Sequence, residues 1–137
     1  MAHIEWNNRF STGIAEVDSE HQKLIELINQ LHQAMVLGLT RRELPAIIGE
    51  LVDYTRQHFQ HEESLMALHN YPGAAKHREL HAHFTDMVVN FRCKLEQGDF
   101  AISTSLFVLL QNWLIEHIMG ADQEFSRHAL RETLNNI

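Results

Sequence analysis

Histidine is unusually frequent in this chain, which has 11 histidines among 137 residues. They are dispersed along the sequence, which excludes an affinity tag and leaves metal binding or pH sensing. Burying several such groups is unfavourable unless something binds them together, and a metal ion does this. Seven metal-type residues interrupt apolar stretches of helical spacing, and they are the candidate ligands: His21, His58, Glu62, His77, His81, His117 and Asp122.

Spacing supports the metal interpretation. His58 and Glu62 are four residues apart, as are His77 and His81, so each pair lies one turn apart on one helix face. Such a pair can chelate one ion or lie across two. A single histidine on an apolar face is more often a hydrogen-bonded core residue. One such pair alone would not distinguish a metal site from ordinary hydrogen-bonded side chains. The coincidence of metal-type residues in four separate segments favours a metal centre.

The number of candidate ligands matches a two-metal centre with one open position. If two carboxylates and a hydroxide bridge both metals, each metal has three oxygen ligands. The five imidazoles must then divide three and two, so that one metal is saturated and the other can accept a small ligand. Neutral nitrogen and carboxylate ligands suit Fe, Mn, Zn or Cu, and ligand type does not choose among them.

The elements that position these residues are predicted to be helices, because apolar residues recur with a period near 3.6. The first helix is predicted to begin at Asp18 or Ser19, either of which can cap it, and to end at Gly38. The second begins within residues 41–45 and runs toward Met66, and a turn follows at residues 70–73. The third ends at residues 98–99. The fourth begins near Ser103, is interrupted at Gly120, and resumes to about residue 134.

Four amphipathic helices with short connections predict an all-α fold, an antiparallel up-down-up-down four-helix bundle. We expect one domain over residues 1–137. It would consist of an N-terminal arm (1–17), the bundle (about 18–119) and a short C-terminal helical extension (120–137). His117 and Asp122 are five residues apart, about 140° off one face of an ideal helix. A π-bulge or a local break near Gly120 would bring them together.

Three segments resemble the signature of the hemerythrin family, to which the bacteriohemerythrins belong: residues 55–63 (TRQHFQHEE), 77–84 (HRELHAHF) and 113–122 (WLIEHIMGAD). Residues 13–21 (GIAEVDSEH) resemble the segment that leads into that family's first helix. The resemblance covers about residues 6–125 and agrees in motif order and spacing. Phe125 departs from the pattern, since the family has Tyr there, and it lacks a hydroxyl for hydrogen bonding.

The resemblance implies two non-haem iron ions (Fe2+/Fe3+) with a bridging hydroxide or oxide. One iron would be saturated, held by His77, His81 and His117. The other would keep an open position for dioxygen, held by His21 and His58, while Glu62 and Asp122 bridge both. An oxygen pocket is expected beside the open position, lined by Trp113, Leu114 and Ile118.

The expected function is reversible dioxygen binding for storage, delivery or buffering, with an oxygen-consuming enzyme as a further partner. Ferritin-like di-iron sites use mainly carboxylates. The mostly neutral ligands of this chain favour the diferrous state, and hence a carrier rather than an enzyme. Two alternatives stay open: an oxygen or redox sensor, and a di-iron enzyme acting on peroxide or nitric oxide.

Composition excludes several other classes of function. The formal net charge is −7 and the chain has no Lys/Arg cluster, which argues against nucleic acid or an anionic membrane as a partner. No apolar run approaches the roughly 18–20 residues that span a membrane, and we see no signal peptide. The lone Cys93 excludes an internal disulfide and is compatible with a reducing compartment. We therefore expect a cytoplasmic protein without membrane insertion.

Overall fold

The computed structural model describes residues 3–38, 44–98 and 100–135, and within them all regular structure is helical. A 3-10 turn in the N-terminal arm precedes the main helices. Four long helices form the bundle, and a π-helix joins the fourth to a shorter fifth helix. The bounds are Asn8–Phe10 for the 3-10 turn, Ala15–Val36 for α1, Leu44–Leu68 for α2, Ala74–Glu96 for α3, Phe100–His117 for α4, Ile118–Asp122 for the π-helix and Gln123–Asn135 for α5.

Consecutive helices lie side by side: α1 packs on α2, α2 on α3, and α3 on α4. The predicted all-α four-helix fold is confirmed. The turn predicted at residues 70–73 separates α2 from α3, and Asn70 adopts a left-handed conformation there with φ of 50°. Part of the predicted start of α2, residues 41–43, lies outside the described residues. The fourth helix begins at Phe100, three residues before the predicted Ser103.

The first helix also begins earlier than predicted, at Ala15 rather than at Asp18 or Ser19. The side chain of Asp18 does not cap that helix. It accepts hydrogen bonds from the backbone N–H of Thr12 at 2.8 Å, the hydroxyl of Thr12 at 2.7 Å and the hydroxyl of Ser11 at 3.0 Å. Asp18 therefore fastens the N-terminal arm onto the first turn of α1, one turn before His21.

The apolar interior consists of two clusters. The larger runs through the bundle and includes Phe59 and Phe84, and the smaller is built around Phe125, with Met66 and Ala129. Phe59 stacks on the ring of His81, and Phe125 lies 6.4 Å from the ring of His77. The candidate ligands thus lie between the two clusters, where apolar packing fixes the helices that carry them.

Among the described residues, no helix combines the length and the apolar character that crossing a membrane requires.

Gly13 offers a test of how the arm is held. It has φ of +85°, and a Cβ added there would lie 3.1 Å from Cδ1 of Leu130 in α5. We expect Gly13→Ala to lower the free energy of unfolding by about 1–2 kcal/mol, because alanine is strained in the left-handed region. Gly49→Ala is the control, since Gly49 lies inside α2 with open space around it. Urea unfolding in one metal state should find that control stabilised by up to about 1 kcal/mol. Equal effects of the two substitutions would contradict this account.

Candidate metal centre

The seven candidate ligands are all buried, with relative exposures between 0 and 6%. Every helix of the bundle contributes at least one of them. The contributions are His21 from α1, His58 and Glu62 from α2, His77 and His81 from α3, His117 from α4 and Asp122 from the π-helix.

Glu62 presents its two carboxylate oxygens to different groups of histidines. Oε1 lies 2.7 Å from Nε2 of His77 and 3.1 Å from Nε2 of His81. Oε2 lies 3.4 Å from Nε2 of His58 and 3.7 Å from Nε2 of His21. The carboxylate therefore stands between two sets of imidazoles.

Asp122 repeats this division. Its Oδ1 lies 2.9 Å from Nε2 of His77 and 3.1 Å from Nε2 of His117, while its Oδ2 lies 2.9 Å from Nε2 of His21. Each carboxylate thus gives one oxygen to each set. This is the arrangement in which two carboxylates can bridge a pair of ions.

The donor atoms form two overlapping groups, and within each group they lie within 4.8 Å of one another. Both groups contain the two carboxylates, and they differ in the number of histidines. The first is Glu62, His77, His81, His117 and Asp122, and the second is His21, His58, Glu62 and Asp122. The structure thus places five candidate ligands around one position and four around the other.

The π-helix Ile118–Asp122 makes this convergence possible. A π-helix inserts an extra residue into the helical turn, which rotates the following side chains relative to the preceding ones. Asp122 thereby comes to the same face as His117, as the five-residue spacing predicted. Gly120 lies at the middle of the π-helix, where a Cβ would meet nothing within 4 Å. That position does not depend on glycine for space.

Several of the donor atoms face one another without forming hydrogen bonds, as expected of a site built for an ion. Oδ1 and Oδ2 of Asp122, Oε2 of Glu62 and Nε2 of His21 are buried and have no hydrogen-bond partner among the described residues. The Nε2 atoms of His77 and His117 lie only 3.1 Å apart. Unsatisfied buried polar atoms are rare and costly, so these seven residues fit a metal centre.

The charges of the site depend on the proximity of imidazoles to carboxylates. Burial would raise the pKa of Asp122, but the facing imidazoles of His117 and His21 hold it at about 2. Burial also opposes ionisation of Glu62, yet its four imidazole neighbours keep that pKa well below its usual range. The pKa of His21 and of His77 is raised to about 9, because the nearby carboxylates outweigh burial. Without a metal, protons hold the carboxylates and imidazoles together, so metal and protons compete for the site.

Sequence reasoning missed two carboxylates that orient the ligands from outside. Glu20 accepts a hydrogen bond from Nδ1 of His58 at 2.8 Å and another from Nδ1 of the half-exposed His61 at 2.9 Å. Glu63 pairs in the same way with Nδ1 of His81 at 3.0 Å. A carboxylate on Nδ1 fixes the imidazole with Nε2 free for a metal and makes it a stronger ligand. Glu20 immediately precedes one ligand and Glu63 follows another, and this adjacency was the available signal.

Aromatic rings cover the group that has three histidines. Phe59 stacks on His81 with ring centroids 3.8 Å apart, and Trp113 stacks on His117 at 4.5 Å with an interplanar angle of 12°. Trp113 is half-buried and also stacks on Phe84 at 4.6 Å. It therefore lies against the five-ligand position rather than against His21 and His58. Leu114 and Ile118 are both buried, with exposures of 1% and 0%.

Two surface clefts reach the same half of the centre. One, of about 440 Å³, extends from the start of α3 to the π-helix and is lined in part by Tyr71 and His77. The other, of about 220 Å³, is lined in part by Trp113 and His117. The five-ligand position therefore lies beneath openings at the protein surface.

Comparison with known proteins gives consistent matches. The family model described as the hemerythrin HHE cation binding domain matches residues 12–129. A bacteriohemerythrin from Stenotrophomonas maltophilia is 36% identical over 126 positions, which cover 92% of this chain and 81% of the relative. A bacteriohemerythrin from Pseudomonas aeruginosa is 34% identical over 139 positions, covering 99% and 90%. A hemerythrin-like protein from Naegleria gruberi is 29% identical and covers 89% and 90%.

Solved structures agree on the fold. A crystal structure of wild-type hemerythrin matches with a TM-score of 0.84 at 24% identity, covering 93% of this chain and 98% of that chain. The helical bundle described above is therefore that of the solved protein.

The pKa values predict how the stability of the metal-free protein depends on pH. His21 and His77 have a pKa near 9 when folded and 6.5 ordinarily, so their contribution is present below pH 6.5 and is lost as pH rises through 9. The carboxyls of Glu62 and Asp122 have a lowered pKa, so they stabilise the fold above pH 4.5 and lose that effect in acid. We expect Tm to be highest between pH 4.5 and 6.5 and to fall by several degrees by pH 9.

Circular dichroism melts at a series of pH values, with and without metal, would check this expectation. In the loaded protein the imidazoles bind the metal as neutral ligands, so the alkaline decrease should disappear. A metal-free Tm that stays constant or rises between pH 6.5 and 9 would show that the imidazole–carboxylate contacts do not stabilise the fold.

The substitution Glu20→Gln tests whether the carboxylate that accepts a hydrogen bond from His58 strengthens metal binding. The substitution replaces a charged acceptor by a weaker one, so we expect metal loss to a chelator to become about 10–100 times easier at equilibrium. Glu26→Gln is the matched control, because Glu26 is an exposed carboxylate on the same helix. Metal content after equilibration with a graded chelator is the measurement. Retention equal to that of the control would mean that Glu20 does not support His58.

Proposed function

Since the chain belongs to the hemerythrin family, we propose that it binds dioxygen reversibly at a pair of non-haem iron ions. Its role would be the storage, delivery or buffering of dioxygen, with an oxygen-consuming enzyme receiving the gas, rather than catalysis. Mn, Zn and Cu also suit this donor set, and we propose iron because it is the metal that the family implies.

The observation that carries this proposal is the unequal division of ligands around two shared carboxylates. One iron would be held by His77, His81 and His117, and the other by His21 and His58. Glu62 and Asp122 would bridge both. The second iron then has one protein ligand fewer than the first, and this difference leaves a position for dioxygen.

The bound irons would supply two electrons to dioxygen and take them back on its release. The protein's part is to keep that exchange reversible. Glu20 and Glu63 hold His58 and His81 with Nδ1 protonated, so that Nε2 remains directed at the centre. Five neutral imidazoles and only two carboxylates add little negative charge, which disfavours oxidation of the irons beyond the ferric state.

Exclusion of water is the second requirement for a carrier. His21 and Glu62 have no exposed surface, and His58 is 2% exposed. In this proposal Leu114 and Ile118 line the oxygen pocket beside the open position. Trp113, assigned to the same pocket from the sequence, covers the other half of the centre at His117. A dry pocket slows the proton-assisted loss of reduced oxygen that would leave the irons permanently ferric.

We further propose that residues 1–137 act as one cytoplasmic domain. The N-terminal arm is fastened to α1 through Asp18, and Phe125 of α5 packs with Met66 of α2 and lies 6.4 Å from the ring of His77. The extension after residue 119 is therefore part of the metal-binding unit. A single cysteine, Cys93, agrees with a reducing compartment.

Reversibility can be measured directly. The iron-loaded protein is reduced anaerobically, exposed to air and then sparged with argon, with a visible spectrum recorded at each step. We expect an oxygen-dependent charge-transfer band that disappears on sparging and returns over several cycles. In Glu62→Gln, which loses one bridging carboxylate, the band should be absent, whereas Glu79→Gln, an exposed carboxylate on α3, should retain it.

Other outcomes of the same experiment distinguish the carrier from the alternative functions. Immediate irreversible oxidation by air, followed by rapid turnover of peroxide or nitric oxide, would replace the carrier with a di-iron enzyme. No iron-dependent band in the unsubstituted chain would overturn the di-iron assignment itself.

A further inference from the structure

His61 lies at the outer edge of the metal centre, immediately before the candidate ligand Glu62 on α2. Its side chain is 35% exposed, and its imidazole contacts α1 rather than the donor atoms of the centre. On α1 it meets Glu20, the carboxylate that accepts a hydrogen bond from the candidate ligand His58. A single carboxylate therefore separates His61 from the metal-binding imidazole.

His61 contacts both oxygens of the Glu20 carboxylate. Its Nδ1 lies 2.9 Å from Oε1 and 2.9 Å from Oε2. Oε1 also lies 2.8 Å from Nδ1 of His58. Hydrogen bonds are directional, so an N–H shared by both oxygens restrains rotation of the carboxylate group. Oε1 of Glu20 is thereby kept directed at His58.

The three side chains lead from the surface of the protein to its interior. His58 and His61 are three residues apart on α2 and so are neighbours on one side of that helix. Side-chain exposure falls from 35% for His61 to 24% for Glu20 and 1% for His58. A glutamate has several rotatable bonds, and holding it in one orientation costs conformational entropy. Without His61, Glu20 is exposed enough to turn toward water instead.

We propose that His61 is a positioning residue that holds Glu20 against His58 and so strengthens metal binding at the four-ligand position. The inference deepens the proposed function, since it rests on His58 being a metal ligand. A carboxylate fixed on Nδ1 orients the imidazole and makes Nε2 a stronger ligand. When Glu20 is free to turn, His58 loses this support, and the metal at the position with fewer protein ligands is held less tightly.

The competing interpretation is that His61 belongs to a surface ion pair without effect on the centre. Exposed pairs contribute little to stability. The contact of Nε2 of His61 with Oε2 of Glu16 is such a pair, at 3.6 Å and with Glu16 76% exposed. Glu16 precedes Glu20 by one turn on the same face of α1. It therefore provides a matched control carboxylate that contacts the same imidazole from the solvent side.

Iron retention against a graded chelator separates the two interpretations. His61→Ala removes the donor to Glu20, so we expect iron to be lost about 3–10 times more easily at equilibrium, a smaller effect than that of Glu20→Gln. His61→Asn should retain iron nearly as the unsubstituted protein does, because its amide nitrogen, like Nδ1 of histidine, is bonded to Cγ. Helix propensity acts in the opposite order, since alanine favours a helix more than asparagine does. A purely structural role would therefore make His61→Asn the weaker variant.

A double substitution tests whether His61 acts through Glu20. In the Glu20→Gln protein the charged acceptor is already absent, so adding His61→Ala should change iron retention by less than about twofold. The control Glu16→Gln should retain iron as the unsubstituted protein does, because it alters only the exposed side of His61.

The other outcomes overturn the proposal. Unchanged retention in His61→Ala would leave only a surface ion pair. Greater loss in His61→Asn than in His61→Ala would assign the effect to helix stability. Full additivity in the double variant would show that His61 acts independently of Glu20, and a loss in Glu16→Gln equal to that in His61→Ala would show a general effect of surface charge.

This inference and the proposed function fail in different measurements, because iron retention is measured without dioxygen. Iron retention in the expected order, without a reversible oxygen-dependent band, would overturn the carrier and leave the role of His61 intact. A reversible band together with unchanged retention in His61→Ala would do the reverse.

Discussion

The contact on which the rest of this structure depends is that of two buried carboxylates, Glu62 and Asp122, with five imidazoles. A carboxylate without exposed surface is strongly unfavourable unless every oxygen faces a positive or hydrogen-bearing group. Here each oxygen faces one or two imidazole nitrogens, and each carboxylate divides its oxygens between the two groups. Side chains from four helices and a π-helix must therefore converge to within a few ångströms at one level of the bundle. The apolar clusters on either side hold the helices in the positions that this convergence requires.

The helical spacing of residues within single segments made much of the metal centre predictable from the sequence. The pairs His58/Glu62 and His77/His81 interrupt apolar faces at one-turn spacing, so their inward direction follows from helix geometry alone. The five-residue step from His117 to Asp122 is incompatible with one face of an α-helix, and it predicted either a π-bulge or a local break near Gly120; the structure contains the π-helix. In both cases the informative signal lay within a single helix, where the sequence determines relative direction.

Features that depend on contacts between distant segments were not accessible in this way. Glu20 is next to His21 in the sequence, but only the packing of α1 against α2 brings its carboxylate to His58, 38 residues away. Likewise, Asp18 suggested a helix cap, whereas it accepts hydrogen bonds from the preceding arm and the helix begins three residues earlier. An acidic side chain in a first turn has several partners of similar energy, and tertiary packing selects among them.

The two halves of the centre differ in the number of candidate ligands and in burial, and the half with fewer ligands is the more buried. The position with five ligands lies beneath the clefts that reach His77 and His117, whereas the position with four ligands includes His21, which has no exposed surface. If the open coordination position belongs to the second, as proposed, it would lie beside a histidine that solvent does not reach. Dioxygen is small and apolar and can pass between packed side chains during brief fluctuations, while water and ions pay a desolvation penalty to do so. The half of the centre that contains His117, with Trp113 stacked over that ring, would then separate the open position from solvent. In this proposal, unequal ligation and unequal burial would act together to favour release of dioxygen over permanent oxidation of the irons.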